Sequence, residues 1–122
     1  GFFVEPTVFD GVKPNMRIAQ EEVFGPVLSV LTFDDEEEAV AIANNSAYGL
    51  GAGIFTKDID RALRLSTRLR SGSVWVNEYW GSGAIGVPFG GYKQSGIGRE
   101  RGQETINNYT QTKSVSIRIR DE

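Results

Sequence analysis

Between residues 26 and 77 an apolar run alternates with a helical pattern, and this repetition constrains the fold more than any other feature. Residues 26–33, 50–56 and 73–77 read as strands, with Gly25-Pro26 breaking the chain before the first and Ser71-Gly72 before the third. The acidic run Asp34-Asp35-Glu36-Glu37-Glu38 reads as a helix start. An aspartate accepts from the orphan backbone N–H groups, and the glutamates complement the positive end of the helix dipole. Glu38 stands three residues after Asp35, the spacing of a capping box. Ala39, Val40 and Ala43 supply the apolar face, and Asn44-Asn45-Ser46 ends the helix. A metal site is the competing use of the acids, and the helix start accounts for them better. Asp58 caps a second helix in which Ile59, Ala62, Leu63, Ser66 and Leu69 recur at helical spacing. Arg61, Arg64 and Arg68 lie opposite and read as a solvated face rather than a phosphate site. The order strand, helix, strand, helix, strand with short links predicts an α/β protein with a parallel βαβαβ core. Ligands bind such sheets beyond the strands' carboxyl ends, here Asp34, Lys57 and the loop after Asn77.

Around that core, residues 2–9 read as an edge or irregular strand because Pro6 interrupts them. Turn chemistry follows at Asp10-Gly11 and Lys13-Pro14-Asn15, and residues 16–22 hold a short helical turn. Residues 78–98 form a long Gly-rich loop whose aromatic residues argue against simple disorder. A late helix is predicted over 99–109, weakened by Gly102. Residues 114–120 alternate strictly, as a strand with one apolar face does. Inside the loop, Gly81-Ser82-Gly83-Ala84-Ile85-Gly86 matches G-x-G-x-x-G after a strand. The fingerprint also requires a helix to follow, and Val87-Pro88-Phe89-Gly90-Gly91 cannot continue one. Residues 91–96 have P-loop glycine spacing but Ile97 where the lysine belongs, so that reading fails. Gly96-Ile97-Gly98-Arg99 reads as a tight helix start before an anion nest.

Composition narrows the chemistry. The 122 residues include no Cys and no His, which removes a thiolate nucleophile, an imidazole base, disulfides and a Cys/His metal site. Net charge is −3, which points away from nucleic acid and anionic membrane as partners. No apolar run reaches about 18 residues and no leader pattern opens the sequence, so a cytoplasmic protein is expected. Gly1 opens directly into Phe2-Phe3-Val4, which reads as a fragment, a processed chain or a trimmed one.

One stretch resists a purely structural reading. In QEEVFGPV, residues 20–27, two adjacent carboxylates stand just ahead of a buried strand. Taken with ANNSAYGL, FTKD, SVWVN, PFGGYKQSGIGRE and YTQTKSV, in this order and with compatible spacing, it resembles the carboxyl-terminal part of the aldehyde dehydrogenase superfamily. The resemblance covers essentially the whole chain. It implies an NAD(P)-dependent oxidation of an aldehyde to an acid in the full-length enzyme. A Cys nucleophile and a Glu base belong to segments that have no counterpart here, so the fragment alone is expected to be inactive and to bind neither NAD nor NADP tightly.

The resemblance also assigns roles. Glu22 would accept hydrogen bonds from the nicotinamide-side ribose, for which a carboxylate offers acceptor oxygens and no donor. Phe24 would pack near the nicotinamide. Phe89 would form an aromatic wall of the substrate tunnel, with Tyr79 and Trp80 contributing. Asn77 would tie the loop to its strand, Lys93 would make a structural ion pair, and Glu21 would have no ligand role. Residues 1–110 would be the end of a catalytic domain. Residues 111–122 would form an oligomerisation strand, with 114–119 making the contact in a homo-dimer or tetramer. The competing readings are a free-standing nucleotide-binding module resting on GSGAIG and a fragment that only builds oligomers.

Overall fold

The computed structural model describes residues 1–79 and 86–119. Trp80, Arg120 and all but the last glycine of GSGAIG lie outside those residues. Along the chain run β1 (Thr7–Phe9), α1 (Arg17–Gln20), β2 (Val27–Ser29), α2 (Glu36–Asn44), β3 (Tyr48–Gly49), β4 (Gly51–Ile54), α3 (Ile59–Arg68), β5 (Ser73–Val76) and β6 (Tyr92–Lys93), then a 3-10 helix (Gln103–Asn108).

The α/β character and the parallel pairing follow the sequence. β4 and β5 pair in parallel from Gly51↔Ser73 to Ile54↔Val76, with α3 as the crossover. β1 and β2 also pair in parallel, Thr7↔Val27 to Phe9↔Ser29. β2 joins β1 rather than β4, so among the described residues the strands form two-stranded sheets instead of one continuous run. Periodicity locates a strand and its crossover, but it carries no information about which edge the strand meets. An antiparallel ladder of β3 with β6, Tyr48↔Lys93 and Gly49↔Tyr92, draws the expected loop back onto the domain.

The caps form as their chemistry requires. Asp35 accepts from the Glu38 N–H at 2.8 Å. Glu38 reaches back at 2.8 Å to the N–H of Asp34 rather than that of Asp35, so the box is displaced by one residue. Asp58 accepts from the Arg61 N–H at 3.0 Å, and this bond holds its carboxyl below the usual range.

The arginine face of α3 is not simply solvated. Arg61 bonds Glu36 at 2.5 Å and Arg64 reaches the same carboxylate at 3.3 Å. Arg68 forks onto both oxygens of Glu37, at 2.7 and 2.5 Å. The first-turn acids of α2 therefore serve twice, as dipole partners and as a latch to α3. Such exposed pairs fix the register of two helices more than they add stability. The inward stripe of α3 is Ala62, buried, with Leu65 and Leu69 half-buried, at i, i+3 and i+7. Ile59 and Leu63, expected inside, are 68% and 60% exposed. Val12, Val40, Ile54 and Ala62 are the buried apolar residues among those described.

Two late elements differ from expectation. The helix predicted over 99–109 is a 3-10 helix confined to Gln103–Asn108. Arg101 and Gly102 stand at φ 59° and 67°, and left-handed residues bar an α-helix from starting at 99. Residues 110–119 form no ladder with the described strands, and Val115, Ile117 and Ile119 are exposed.

Candidate functional site

Glu22 sits on the link between α1 and β2. The preceding acid is committed elsewhere: Glu21 pairs with Arg17 one turn back, Nε to Oε2 at 2.8 Å. The chain then turns sharply, with the Gly25 N–H donating to Val23 O at 2.9 Å. This three-residue turn throws the Phe24 ring outward, 99% exposed, while Glu22 stays at the rim of a cleft. Among the described residues the Glu22 carboxylate makes no hydrogen bond and no ion pair.

The cleft holds about 430 Å³, within the range of small-molecule pockets. Its walls include Glu21, Glu22, Tyr48, Gly51, Tyr79 and Ser95. The two glutamates are the charged side chains among its described lining, so the wall offers acceptors and repels anions. Its β4 lining is Gly51 and Ala52, the start of the strand, rather than the carboxyl end. A shallower hollow lies at the carboxyl ends of β4 and β5, lined by Phe55, Thr56, Lys57 and Asn77.

Tyr79 reaches the cleft because Asn77 locks the end of β5. The Asn77 N–H donates to Ile54 O at 2.7 Å, and its Oδ1 accepts from the Thr56 N–H at 2.9 Å. Asn77 takes φ 57°, an αL position that asparagine tolerates. The Tyr79 ring then meets Trp75 edge-on at 5.5 Å. Phe89 lines a neighbouring hollow that shares Leu50 and Ser95 with the cleft. It is half-buried, bridged to Glu100 by backbone bonds of 2.7 and 2.8 Å, with the Arg101 guanidinium 5.2 Å above its ring. The fold thus brings Glu22 and Tyr79 into one cleft, sets Phe89 in the adjoining hollow and leaves Phe24 outside both.

Three contacts were not anticipated from the sequence. Among the described residues Lys93 forms no ion pair; its ammonium donates at 2.9 Å to the carbonyls of Asn44 and of Ser46. Ser95 Oγ accepts from the Gly49 N–H at 3.0 Å, and the Gln94 N–H donates to Ala47 O at 2.9 Å. Their signal was proximity in the motif PFGGYKQSG, whose polar residues have backbone partners far away in sequence. Among the described residues no cluster of three or more acidic, His or Cys side chains is placed to hold a metal, and no helix is long and apolar enough to cross a membrane.

A parallel α/β chain with a carboxylate-lined cleft defines a structural class and no activity by itself. Comparison with known proteins then narrows the class: the aldehyde dehydrogenase family profile matches residues 1–115, and the chain belongs to that family. An aldehyde dehydrogenase of Aspergillus niger is 53% identical over 121 residues, 99% of this chain and 24% of that protein. The solved structure of a mutant indole-3-acetaldehyde dehydrogenase of P. syringae in complex with NAD+ and IAA superposes with a TM-score of 0.90 at 53% identity. It covers 96% of this chain and 23% of that one. The Mycobacterium tuberculosis aldehyde dehydrogenase complexed with NAD+ gives 0.85 at 50% identity, over 91% of this chain and 23% of that one. The chain therefore spans about a quarter of the length of the relatives it matches.

Proposed function

We propose that this chain supplies one wall of the cofactor and substrate sites of an NAD(P)-dependent aldehyde dehydrogenase, a cytoplasmic enzyme that oxidises a small aldehyde to its carboxylic acid. The observation that carries the reading is the Glu22 carboxylate, without a partner among the described residues, beside a Glu21 already paired with Arg17. A free acceptor on an anionic wall suits the hydroxyl pair of a ribose and disfavours its phosphates. The relatives of known structure, complexed with NAD+, support that ligand class.

When bound, the nicotinamide supplies the hydride acceptor. Glu22 orients the adjoining ribose through hydrogen bonds, and Phe24, projecting from the turn, packs against the ring side once the site is complete. Tyr79 and Phe89 form aromatic walls that exclude water from the aldehyde; the tunnel role expected of Trp80 falls outside the described residues. The sequence has no Cys, so a thiolate nucleophile comes from the remainder of the enzyme; the family resemblance puts the general base there as well, and this chain alone is then inactive. The exposed apolar residues Phe2, Phe3 and Phe24 become covered in that larger protein. Residues 1–110 close the catalytic domain. The alternating residues 114–119 extend a sheet across to a second subunit, in a homo-dimer or tetramer.

The test is formation of reduced nicotinamide by the full polypeptide carrying this chain, with NAD+ and NADP+ against a panel of aldehydes. Aldehyde-dependent turnover with at least one cofactor is expected. No turnover with any pair contradicts the reading.

A further inference from the structure

Lys93 has no part in the reading above, yet it is the residue through which the Phe89 segment is fastened to the domain. Its backbone stands at φ 54°, in the left-handed region that a side-chain-bearing residue adopts only when its surroundings hold it there. Two sets of contacts hold it. The ladder of β3 with β6 sets Lys93 opposite Tyr48, which lines the cleft. The ammonium donates to the carbonyls of Asn44, the last residue of α2, and of Ser46. The Asn44 carbonyl stands at the negative end of the α2 dipole, where a cation is favoured, and the Ser46 carbonyl lies two residues past the helix. Asn44 is itself fixed, because its amide donates to Arg68 O at 3.0 Å and its Oδ1 accepts from the Arg70 N–H at 2.8 Å. One lysine thereby joins the loop to the carboxyl end of α2, which the Asn44 side chain in turn ties to the end of α3.

Four residues upstream, Phe89 is held at its other side by the bridge to Glu100. The segment from Phe89 to Lys93 is therefore pinned at both ends, by a backbone bridge and by an ammonium. We infer that Lys93 is a positioning residue for aldehyde recognition: it fixes the Phe89 wall relative to the Glu22 cleft by capping α2, without touching substrate. The inference rests on the aldehyde dehydrogenase reading for its kinetic part and on geometry alone for its structural part.

The experiment uses the full polypeptide with Lys93→Met and Lys93→Arg. It reads hydrogen exchange at the amides of Phe89, Gln94 and Ser95, then KM and kcat for a small and a bulky aldehyde, then KM for the cofactor. With Met, exchange at those amides accelerates. The aldehyde KM rises about tenfold, because a wall misplaced by an ångström weakens binding and orientation. The cofactor KM stays unchanged, and Arg, which can donate to the same two carbonyls, recovers part of the loss. Unchanged exchange with unchanged aldehyde KM overturns the inference. So does an equal loss of kcat, both KM values and melting temperature in Met and Arg alike, the mark of a merely structural residue. Should Lys93→Met not fold, Lys93→Gln, whose shorter amide reaches at most one carbonyl, carries the same outcomes. Accelerated exchange in a protein whose wild type oxidises no aldehyde sinks the aldehyde dehydrogenase reading and the kinetic role, and leaves the clasp.

Discussion

Gly72→Ala tests how the Phe89 segment is seated. Gly72 stands at the turn into β5, its N–H donating to Gly49 O at 3.0 Å. A Cβ built there would lie 1.6 Å from the carbonyl oxygen of Gly90 and 2.8 Å from its carbonyl carbon. Real Cβ contacts essentially never fall below 3.0 Å, so the Gly90 backbone would have to retreat by about 1.4 Å. It has little room to do so. A Cβ on Gly90 itself would stand 2.6 Å from Gly98 O, which shows the segment packed on its other side as well. Gly72 is not at positive φ, so alanine itself is not strained, and the stiffer unfolded chain favours the variant by about 0.4–1 kcal/mol. Overpacking against backbone on two sides costs about 3 kcal/mol, the upper end of such substitutions. The net expectation is a loss of about 2 kcal/mol, read from urea-unfolding midpoints of the full polypeptide. Gly25→Ala is the control: its Cβ meets nothing within 4 Å, and a change below about 0.5 kcal/mol is expected. If Gly72→Ala is as stable as this control, the close approach of Gly72 to Gly90 is refuted.

Two further outcomes follow from the same structure. Hydrogen bonding to Arg61 holds the Glu36 carboxyl below the usual carboxylate range, and Arg68 does the same for Glu37. A folded-state value depressed in this way contributes stability above the unfolded pKa of about 4.3, which is lost as pH falls through the lower folded value. Stability from unfolding curves should therefore decline below about pH 4, and Glu36→Gln should flatten that decline; an equal slope in variant and wild type contradicts the latch between α2 and α3. Phe89→Ala should broaden aldehyde preference toward bulkier substrates, measured as a ratio of kcat/KM values, and an unchanged ratio removes Phe89 from the substrate wall.

Much of the fold was legible where chemistry is local. Asp35 and Asp58 announce α2 and α3 because a cap needs only a side-chain oxygen at the right offset. The parallel β4–β5 pair is legible because a helical crossover of this length forces it. What escaped is set by contacts across the chain. The arginines of α3 meet acids some 25 to 31 residues away, so their spacing could not distinguish a solvated face from an inter-helix latch. The late helix failed at Arg101, whose positive φ no propensity scale would assign to arginine. For the site, the segments carrying Glu22 and Tyr79 were legible as motif pieces, but their meeting in one cleft depends on the Val23–Gly25 turn and the Asn77 lock. Lys93 looked like half of an ion pair, because a lysine's alternative partners, two backbone carbonyls at and just past a helix end, leave no trace in sequence.

The most direct test of the central claim is the steady-state kinetics of Glu22→Gln in the full polypeptide, with cofactor varied and melting temperature measured alongside. Glu22 is exposed and makes no bond among the described residues, so stability should change by less than about 0.5 kcal/mol. An amide keeps one acceptor and adds a donor where the carboxylate had only acceptors, and hydrogen bonds to charged groups contribute about 1.5–3 kcal/mol. A loss of about tenfold or more in kcat/KM for the cofactor at unchanged melting temperature is the predicted result. Unchanged kinetics with both NAD+ and NADP+ would contradict the account.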